Sequence, residues 1–145
     1  MTVKRLLYWK PNQESAINSH TVNKISECVK KFNGVKEGTW KTELSYYRPN
    51  LVDRSKLVEF PSDAFGLYLI GNPSKYYFVI LKHNIVLQAD PSILTIMDKL
   101  QSYLSNVILH FEGVQYKLGD FQFKLIKVLT RYNNLRGILV EVTTF

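Results

Sequence analysis

The last quarter of the chain, residues 107–145, constrains the fold more than any other stretch. It holds three β-rich runs, and glycine-containing breaks separate them. In the middle run, Gln122 and Lys124 alternate with three apolar residues, which are Phe121, Phe123 and Leu125. A period of two places the apolar residues on one face of a sheet and the polar residues on the other. A three-stranded meander this apolar is not stable alone, so the rest of the chain must cover and extend it.

Composition and charge define a folded protein with a basic surface. The 145 residues fit one domain, and 46% are hydrophobic while 21% are charged. The net charge of +7 favours contact with nucleic acid, acidic proteins or anionic lipid. No run of five basic residues concentrates this charge, so a solvated basic surface is expected. Cys28 is the single cysteine, which indicates a reducing compartment, and no apolar run reaches membrane-spanning length, so no membrane contact is expected.

The order of elements predicts an α+β fold. Strands precede and follow two predicted helices, at about residues 18–32 and 91–104, without the strand–helix alternation of a parallel sheet. The sheet is therefore expected to be mostly antiparallel, with both helices packed on it. An open sheet of seven or eight apolar strands would expose unpaired backbone groups at its two edges. Closure of the sheet removes these edges, so a barrel-like sheet is predicted. A further short strand is expected within the polar loop, at 57–60.

Both helices carry apolar stripes at helical spacing. In the first, Ile25, Cys28, Val29 and Phe32 share a face, which predicts that Cys28 is a small buried residue, and Asn33-Gly34 ends the helix. In the second, Asp90 is a favourable N-cap before Pro91. The stripe predicted to be buried there consists of Ile93, Ile96, Met97, Leu100, Tyr103 and Leu104.

Residue patterns for catalysis are missing from the sequence. No glycine-rich phosphate loop occurs, and His20, His83 and His110 share no spacing suited to a metal site. A tunnel-shaped barrel that processes triphosphates needs Glu-x-Glu on a strand so that both carboxylates enter the lumen. Glu112 and Glu141 each lack such a neighbour. No catalytic residue, metal or cofactor is therefore assigned.

Aromatic residues near lysines suggest a second function class, a nucleic-acid platform. The best candidates are Tyr116, Phe121 and Phe123 with Lys117, Lys124 and Lys127. However, Phe121 and Phe123 fall in line with Leu125, which favours burial in a core and leaves the lysines as a solvated face. Direct nucleic-acid binding is not expected on this basis, and a stand-alone basic nucleic-acid-binding α+β module remains the alternative function.

An ordered set of short motifs resembles the Mediator subunit 20 family, a head-module family also described as TATA-binding-protein-related factors. The set runs from Asn33-Gly34-Val35-Lys36-Glu37-Gly38, through Lys99-Leu100-x-x-Tyr103 and Glu112-Gly113-Val114-Gln115-Tyr116, to Gly119-Asp120-Phe121 and Leu135-Arg136-Gly137-Ile138-x-x-Glu141. The residues of these motifs are most similar to those of plant members of the family. The family-motif residues are Gly34, Gly38, Tyr103, Gly113, Tyr116, Gly119, Asp120, Phe121, Arg136, Gly137 and Glu141.

The family resemblance implies a specific function, which the residue patterns alone do not indicate. It implies a non-enzymatic nuclear scaffold that pairs with Mediator subunit 18 and with the C-terminal segment of subunit 8. Through them it would link regulators indirectly to RNA polymerase II. Family members continue past the Val-Glu-Val strand, so the resemblance also implies a single subunit 20-like domain over 1–145 that lacks the family's C-terminal region.

Overall fold

Eight strands and two α-helices form where the alternating and helical patterns predict them, across the described residues 2–9, 17–50 and 63–145 of the computed structural model. The strands are β1 (Val3–Tyr8), β2 (Val35–Pro49), β3 (Ala64–Leu69), β4 (Tyr76–Ile80), β5 (Ile85–Ala89), β6 (Tyr103–Leu118), β7 (Phe121–Thr130) and β8 (Leu135–Thr144). The helices are α1 (Ser19–Lys31) and α2 (Ile93–Leu100). The predicted short strand at 57–60 lies outside the described residues.

The strand pairings confirm the α+β class and correct the predicted barrel. The order is β1-β8-β7-β6-β2-β3-β4-β5, and the residue registers are antiparallel, as for β1 with β8 and β4 with β5. Among the described strands no pairing joins β1 to β5, so the sheet is open. The two edge strands of the described sheet are short, with six and five residues. Short edge strands expose few unpaired backbone N–H and C=O groups, so the sheet does not need to close into a barrel to protect them.

Helix α1 begins and ends as the sequence predicts. The side chain of Asn18 accepts a hydrogen bond from the backbone N–H of Thr21 at 3.1 Å, and Asn33 adopts a left-handed φ of 61° just beyond the helix. The prediction that Cys28 is buried is wrong, because its side chain is exposed. Residues one position apart differ by about 100° around a helix, so burial of Val29 turns Cys28 to the flank.

Helix α2 is shorter than predicted. It starts at Ile93 rather than 91, after Asp90 accepts a hydrogen bond from the backbone N–H of Ser92 at 2.9 Å, and this bond lowers the pKa of Asp90. Gln101 then takes a left-handed φ of 51° and ends the helix. The prediction of helix to residue 104 is therefore wrong, since Tyr103 already begins β6.

The C-terminal meander is confirmed, but its first break is displaced. β6 runs without interruption through Gly113 to Leu118, and the chain reverses at Gly119, whose φ is +56°. Gly113 lies directly against the indole of Trp40, and a Cβ there would come within 2.8 Å of Trp40 Cζ2. Gly113 therefore allows the indole of Trp40 to pack closely on the backbone of a continuous strand, and it does not form a turn.

The described chain divides into two compact units, each with its own core. The first unit comprises 1–41 and 110–145, and its buried residues are Val29, Tyr116, Leu125, Ile138 and Val140. The second unit comprises 42–109, with Tyr47, Ala64, Tyr76 and Phe78 at its centre. No helix among the described residues combines the length and apolar character needed to cross a membrane.

Candidate interaction surface

The three histidines belong to three separate elements in the described parts of the chain. His20 lies in α1, His83 in the turn between β4 and β5, and His110 in β6. Within the described ranges, no group of three His, Cys, Asp or Glu side chains could hold a metal ion. The candidate functional features are therefore surfaces and the residues that shape them.

The family-motif residues are distributed through the fold and do not form one site. Gly34 packs closely against α1, since an added Cβ would lie 2.8 Å from the carbonyl oxygen of Val29. Gly137 faces the ring of Tyr8, whereas a Cβ on Gly38 would meet nothing within 4 Å. Gly119 requires its positive φ at the turn. Their role as family signatures remains a prediction, because their positions point to several separate structural roles.

The aromatic and charged members of the set also separate. Tyr116 is 4% exposed, and its hydroxyl hydrogen-bonds to that of Ser26 at 2.9 Å, which fixes α1 to β6. Tyr103 packs against the core of the second unit. Asp120, in the turn before β7, and Arg136, near the start of β8, are both exposed.

Phe121 corrects one prediction about the aromatic strand. It was expected in the core with Phe123 and Leu125, but it is 49% exposed. Leu125 is buried and Phe123 packs against it, whereas Phe121 is the first residue after the turn, at the strand end. The predicted polar face is also partly covered, because Ile126 is 4% exposed and points away from Leu125.

Glu141 lies between two lysines that the sequence keeps far apart. Its carboxylate is 3.6 Å from Lys4 Nζ and 3.2 Å from Lys124 Nζ, and its side chain is 17% exposed. Strand register creates the cluster, since Glu141 lies opposite Leu6 on β1 and opposite Lys124 on β7. Lys124 also approaches the ring of Trp40 at 5.9 Å. These contacts tie four strands of the first unit together on the face opposite α1.

Glu112 repeats this arrangement on another part of the first unit. Its carboxylate oxygens are 3.6 Å from Lys41 Nζ and 3.4 Å from Lys127 Nζ. The two glutamates that lack a Glu-x-Glu partner are thus each paired with two lysines. Four of the strand lysines consequently have acidic partners, so they are not available as a free basic platform.

Glu141→Gln should produce a small, salt-sensitive loss of stability. Removing the charge eliminates two ion pairs at a partly exposed position, which is worth about 0.5–1 kcal/mol of unfolding free energy at low salt. Urea denaturation at low and high sodium chloride would measure the difference, which should shrink as salt screens the pairs. Glu27→Gln on the exposed face of α1 is the matched control. An equal loss in both variants, or a loss that salt does not reduce, would contradict the assigned pairing.

An apolar groove lies beside α1 in the first unit. We call it the α1 trough, and it encloses about 460 Å³. Its walls include Trp9, Lys24, Cys28, Phe32, Leu118 and Phe123. Phe32 is 73% exposed and Trp9 is 43% exposed, although both are large aromatic residues. An apolar, open surface of this kind is typical of a contact with another protein.

The second unit carries exposed apolar residues at its edge strand. Ile85, Val86 and Leu87 of β5 are all more than two-fifths exposed. Its core, in contrast, contains a buried polar pair, with the hydroxyls of Tyr47 and Tyr76 3.0 Å apart. Burial, together with the bond to Tyr47, holds the pKa of the Tyr76 phenol far above its usual range. No local sequence pattern indicates this pair, because the two tyrosines lie on separate strands.

Comparison with known proteins gives one close relative and a family. The family model described as TATA-binding related factor (TRF) of subunit 20 of Mediator complex matches residues 1–144. The chain is 46% identical over 143 residues to Mediator of RNA polymerase II transcription subunit 20b of Arabidopsis thaliana. That alignment covers 98% of this chain and 65% of the relative, so the chain spans about two-thirds of the relative's length.

Two solved structures show a distant likeness to the chain. A chain of the Schizosaccharomyces pombe Mediator head module is 13% identical with a TM-score of 0.43, covering 99% of this chain and 82% of that chain. A conserved hypothetical protein from Pyrococcus furiosus is 12% identical with a TM-score of 0.49, covering 100% and 79% respectively. At these scores neither structure adds to the assignment. The family match over residues 1–144 and the 46% identity show that the chain belongs to the Mediator subunit 20 family, as the ordered sequence motifs predicted.

Proposed function

We propose that this chain is a non-catalytic subunit of the Mediator coactivator complex. It acts in the nucleus as a scaffold of the head module and links regulators to transcription by RNA polymerase II. Family membership over residues 1–144 is the observation that carries this proposal. The absence of catalytic motifs from the sequence and the exposed apolar surfaces of both units are compatible with a role in assembly.

The proposed direct partners are Mediator subunit 18 and the C-terminal segment of subunit 8. They follow from the family resemblance, and RNA polymerase II is an indirect partner. A scaffold of this kind needs stable surfaces rather than a reaction centre. The two separate cores, one around Ile138 and the other around Tyr76, provide such support on the two compact units.

Affinity purification from plant nuclei tests the proposal. The tagged 145-residue chain, expressed in Arabidopsis cells, should recover head-module subunits, with subunits 18 and 8 the most abundant by quantitative mass spectrometry. Arabidopsis subunit 20b with the same tag is the matched positive control, because it is the 46% identical relative. A tagged unrelated basic protein of similar size controls for recovery driven by charge alone.

The outcome that contradicts the proposal is specific. If subunit 20b recovers the head module and this chain recovers none of it, the chain is not a Mediator subunit. Salt-dependent binding of the purified chain to short duplex or single-stranded DNA would instead favour the nucleic-acid alternative. That alternative is less well supported, because Tyr116 is buried and Lys124 and Lys127 are paired with glutamates.

A further inference from the structure

The α1 trough exists because one helix covers only part of a five-stranded face. The first unit presents β1, β8, β7, β6 and the start of β2. Strands lie about 4.8 Å apart and a helix is about 10 Å wide, so one helix covers about two strands. The hydrogen bond between Ser26 and Tyr116 holds α1 over β6. Ile138 and Val140 of β8 are buried on the same face, whereas Leu7 of β1 is more than half exposed, so the uncovered part of the face lies at β1.

The uncovered side includes an apolar side chain that belongs to the same face as the core. Leu7 lies opposite Val140 in the β1–β8 register, and directly opposite residues share a face of an antiparallel pair. Val140 is buried in the core, yet Leu7 is 56% exposed. Phe32 at the end of α1 and Trp9 at the end of β1 border the same trough.

Charge along the trough has one sign. Lys24 is part of its wall, and Arg5 shares the face because it lies opposite Val142, which packs against the core. Neither cation has an acidic partner within the described ranges, and none of the described residues that line the trough is acidic. An occupant with carboxylates beside its apolar stripe would pair with both cations, whereas lysines there would be repelled.

We propose that the α1 trough is the docking site for an acidic amphipathic helix of a partner protein. The helix lies beside α1 with its apolar stripe between Phe32 and Trp9 and its carboxylates toward Lys24 and Arg5. This inference rests on the proposed scaffold function and specifies one surface and the chemistry of the partner that fits it. A helix fits better than a small molecule, because the trough is open and its described lining residues are mostly apolar, unlike the converging polar groups of a ligand pocket.

Cys28 provides a built-in reporter, because it is the only cysteine and is an exposed residue of the trough wall. The purified chain is mixed with a synthetic helix of about 18 residues, with leucines at i, i+3, i+4 and i+7 and glutamates on its polar face. The rate of maleimide labelling of Cys28 is then measured. At saturation the glutamate peptide should slow labelling about tenfold, and the same peptide with lysines should slow it less than about twofold.

Matched variants distinguish docking in the trough from non-specific binding of the peptide elsewhere on the chain. Phe32→Ser should weaken binding of the glutamate peptide about fivefold, whereas Val35→Ser, at another highly exposed apolar residue outside the described trough wall, should not change it. Lys24→Glu should reverse the preference toward the lysine peptide. A Cys28→Ser, Tyr132→Cys variant places the thiol on the β7–β8 turn, where neither peptide should protect it.

The inference is overturned if about 1 mM glutamate peptide gives no protection, if both peptides protect equally, or if Phe32→Ser and Val35→Ser behave alike. In purified Mediator containing this chain, Cys28 should also label more slowly than in the free chain, and a photo-crosslinker on it should capture an acidic helical segment. Full reactivity there, or a crosslink to a basic segment or a second copy, overturns the inference and leaves Mediator membership intact. Failure to assemble at all counts instead against the proposed function.

Discussion

Replacing Ile138 with alanine should lower the free energy of unfolding by about 3–4 kcal/mol, because truncation of a buried isoleucine loses transfer free energy and leaves a cavity. Ile138 is fully buried, in the core of the first unit with Leu125 and Val140. A loss of this size is a large fraction of the about 5–15 kcal/mol available to a domain. Urea denaturation followed by far-ultraviolet circular dichroism would measure the difference.

Leu6→Ala is the matched control for Ile138→Ala. Leu6 lies on β1 of the same unit but is 61% exposed, so its truncation should cost less than about 1 kcal/mol. Similar losses for the two variants would show that the burial pattern around β8 is wrong. A loss below about 1 kcal/mol for Ile138→Ala would also contradict the core assignment.

Gly66→Ala should destabilise the second unit by about 3 kcal/mol, through overpacking and through disturbance of a buried hydrogen bond. An added Cβ would collide with the hydroxyl of Tyr76 and lie 2.7 Å from Tyr47 Cε2. Both phenols are buried and bonded to each other, so neither can move aside without loss. The same urea titration, together with near-ultraviolet circular dichroism of the tyrosines, would measure the effect.

Gly71→Ala provides the control, because an added Cβ there meets no atom within 4 Å. Its unfolding free energy should stay within about 0.5 kcal/mol of the parent. If Gly66→Ala is equally mild, the tyrosines have room to shift, and the packing of Gly66 under Tyr47 and Tyr76 is not the constraint that the structure indicates. An unchanged tyrosine spectrum in Gly66→Ala would contradict the collision with Tyr76.

Short sequence motifs correctly predicted the elements that end in residues suited to a left-handed backbone conformation. Asn33 and Gly34 mark the end of α1, and the structure places the left-handed residue there. The hairpin between β4 and β5 was also predicted from its central polar residues, and Asn84 supplies the left-handed φ of 51°. Both signals act within a few residues, so they can be read without knowledge of the remaining chain.

Helix α2 shows where such signals fail. Tyr103 and Leu104 continue the helical spacing of Ile93 and Met97, so periodicity alone extends the helix by four residues. Gln101 ends the helix in a left-handed conformation that is uncommon for residues other than glycine and asparagine. No glycine or proline near this position indicates the helix end in the sequence. The hydrogen bond from the Asn50 side chain to the carbonyl of Gln101 comes from a residue 51 positions away, so a local window could not contain it.

Burial depended on the placement of helices on the sheet, which the sequence does not specify. Cys28 belongs to the apolar side of α1, and Phe121 belongs to the apolar face of β7, yet both are exposed. Cys28 lies on the flank of α1 beside the buried Val29, and Phe121 lies at the end of its strand. The trough was missed for the same reason, although the exposed aromatic residues at both ends of its walls could have signalled it.

The lysine–glutamate clusters were missed because strand register creates them. Lys4 and Glu141 lie at opposite ends of the sequence and meet only because β1 pairs with β8. Closely spaced carboxylates, which suit metal sites, can be recognised in a sequence, whereas pairs of opposite charge on neighbouring strands cannot. Knowledge of the strand order would have sufficed to predict them.

The location of the two tryptophans determines what a simple spectroscopic assay can observe. Trp9 and Trp40 are the only tryptophans in the chain, and both belong to the first unit. Intrinsic indole emission therefore follows the environment of that unit, and the tyrosine-rich second unit contributes no indole signal of its own. A thermal melt recorded at the indole emission wavelength would detect Ile138→Ala directly, but Gly66→Ala requires a probe placed in the second unit.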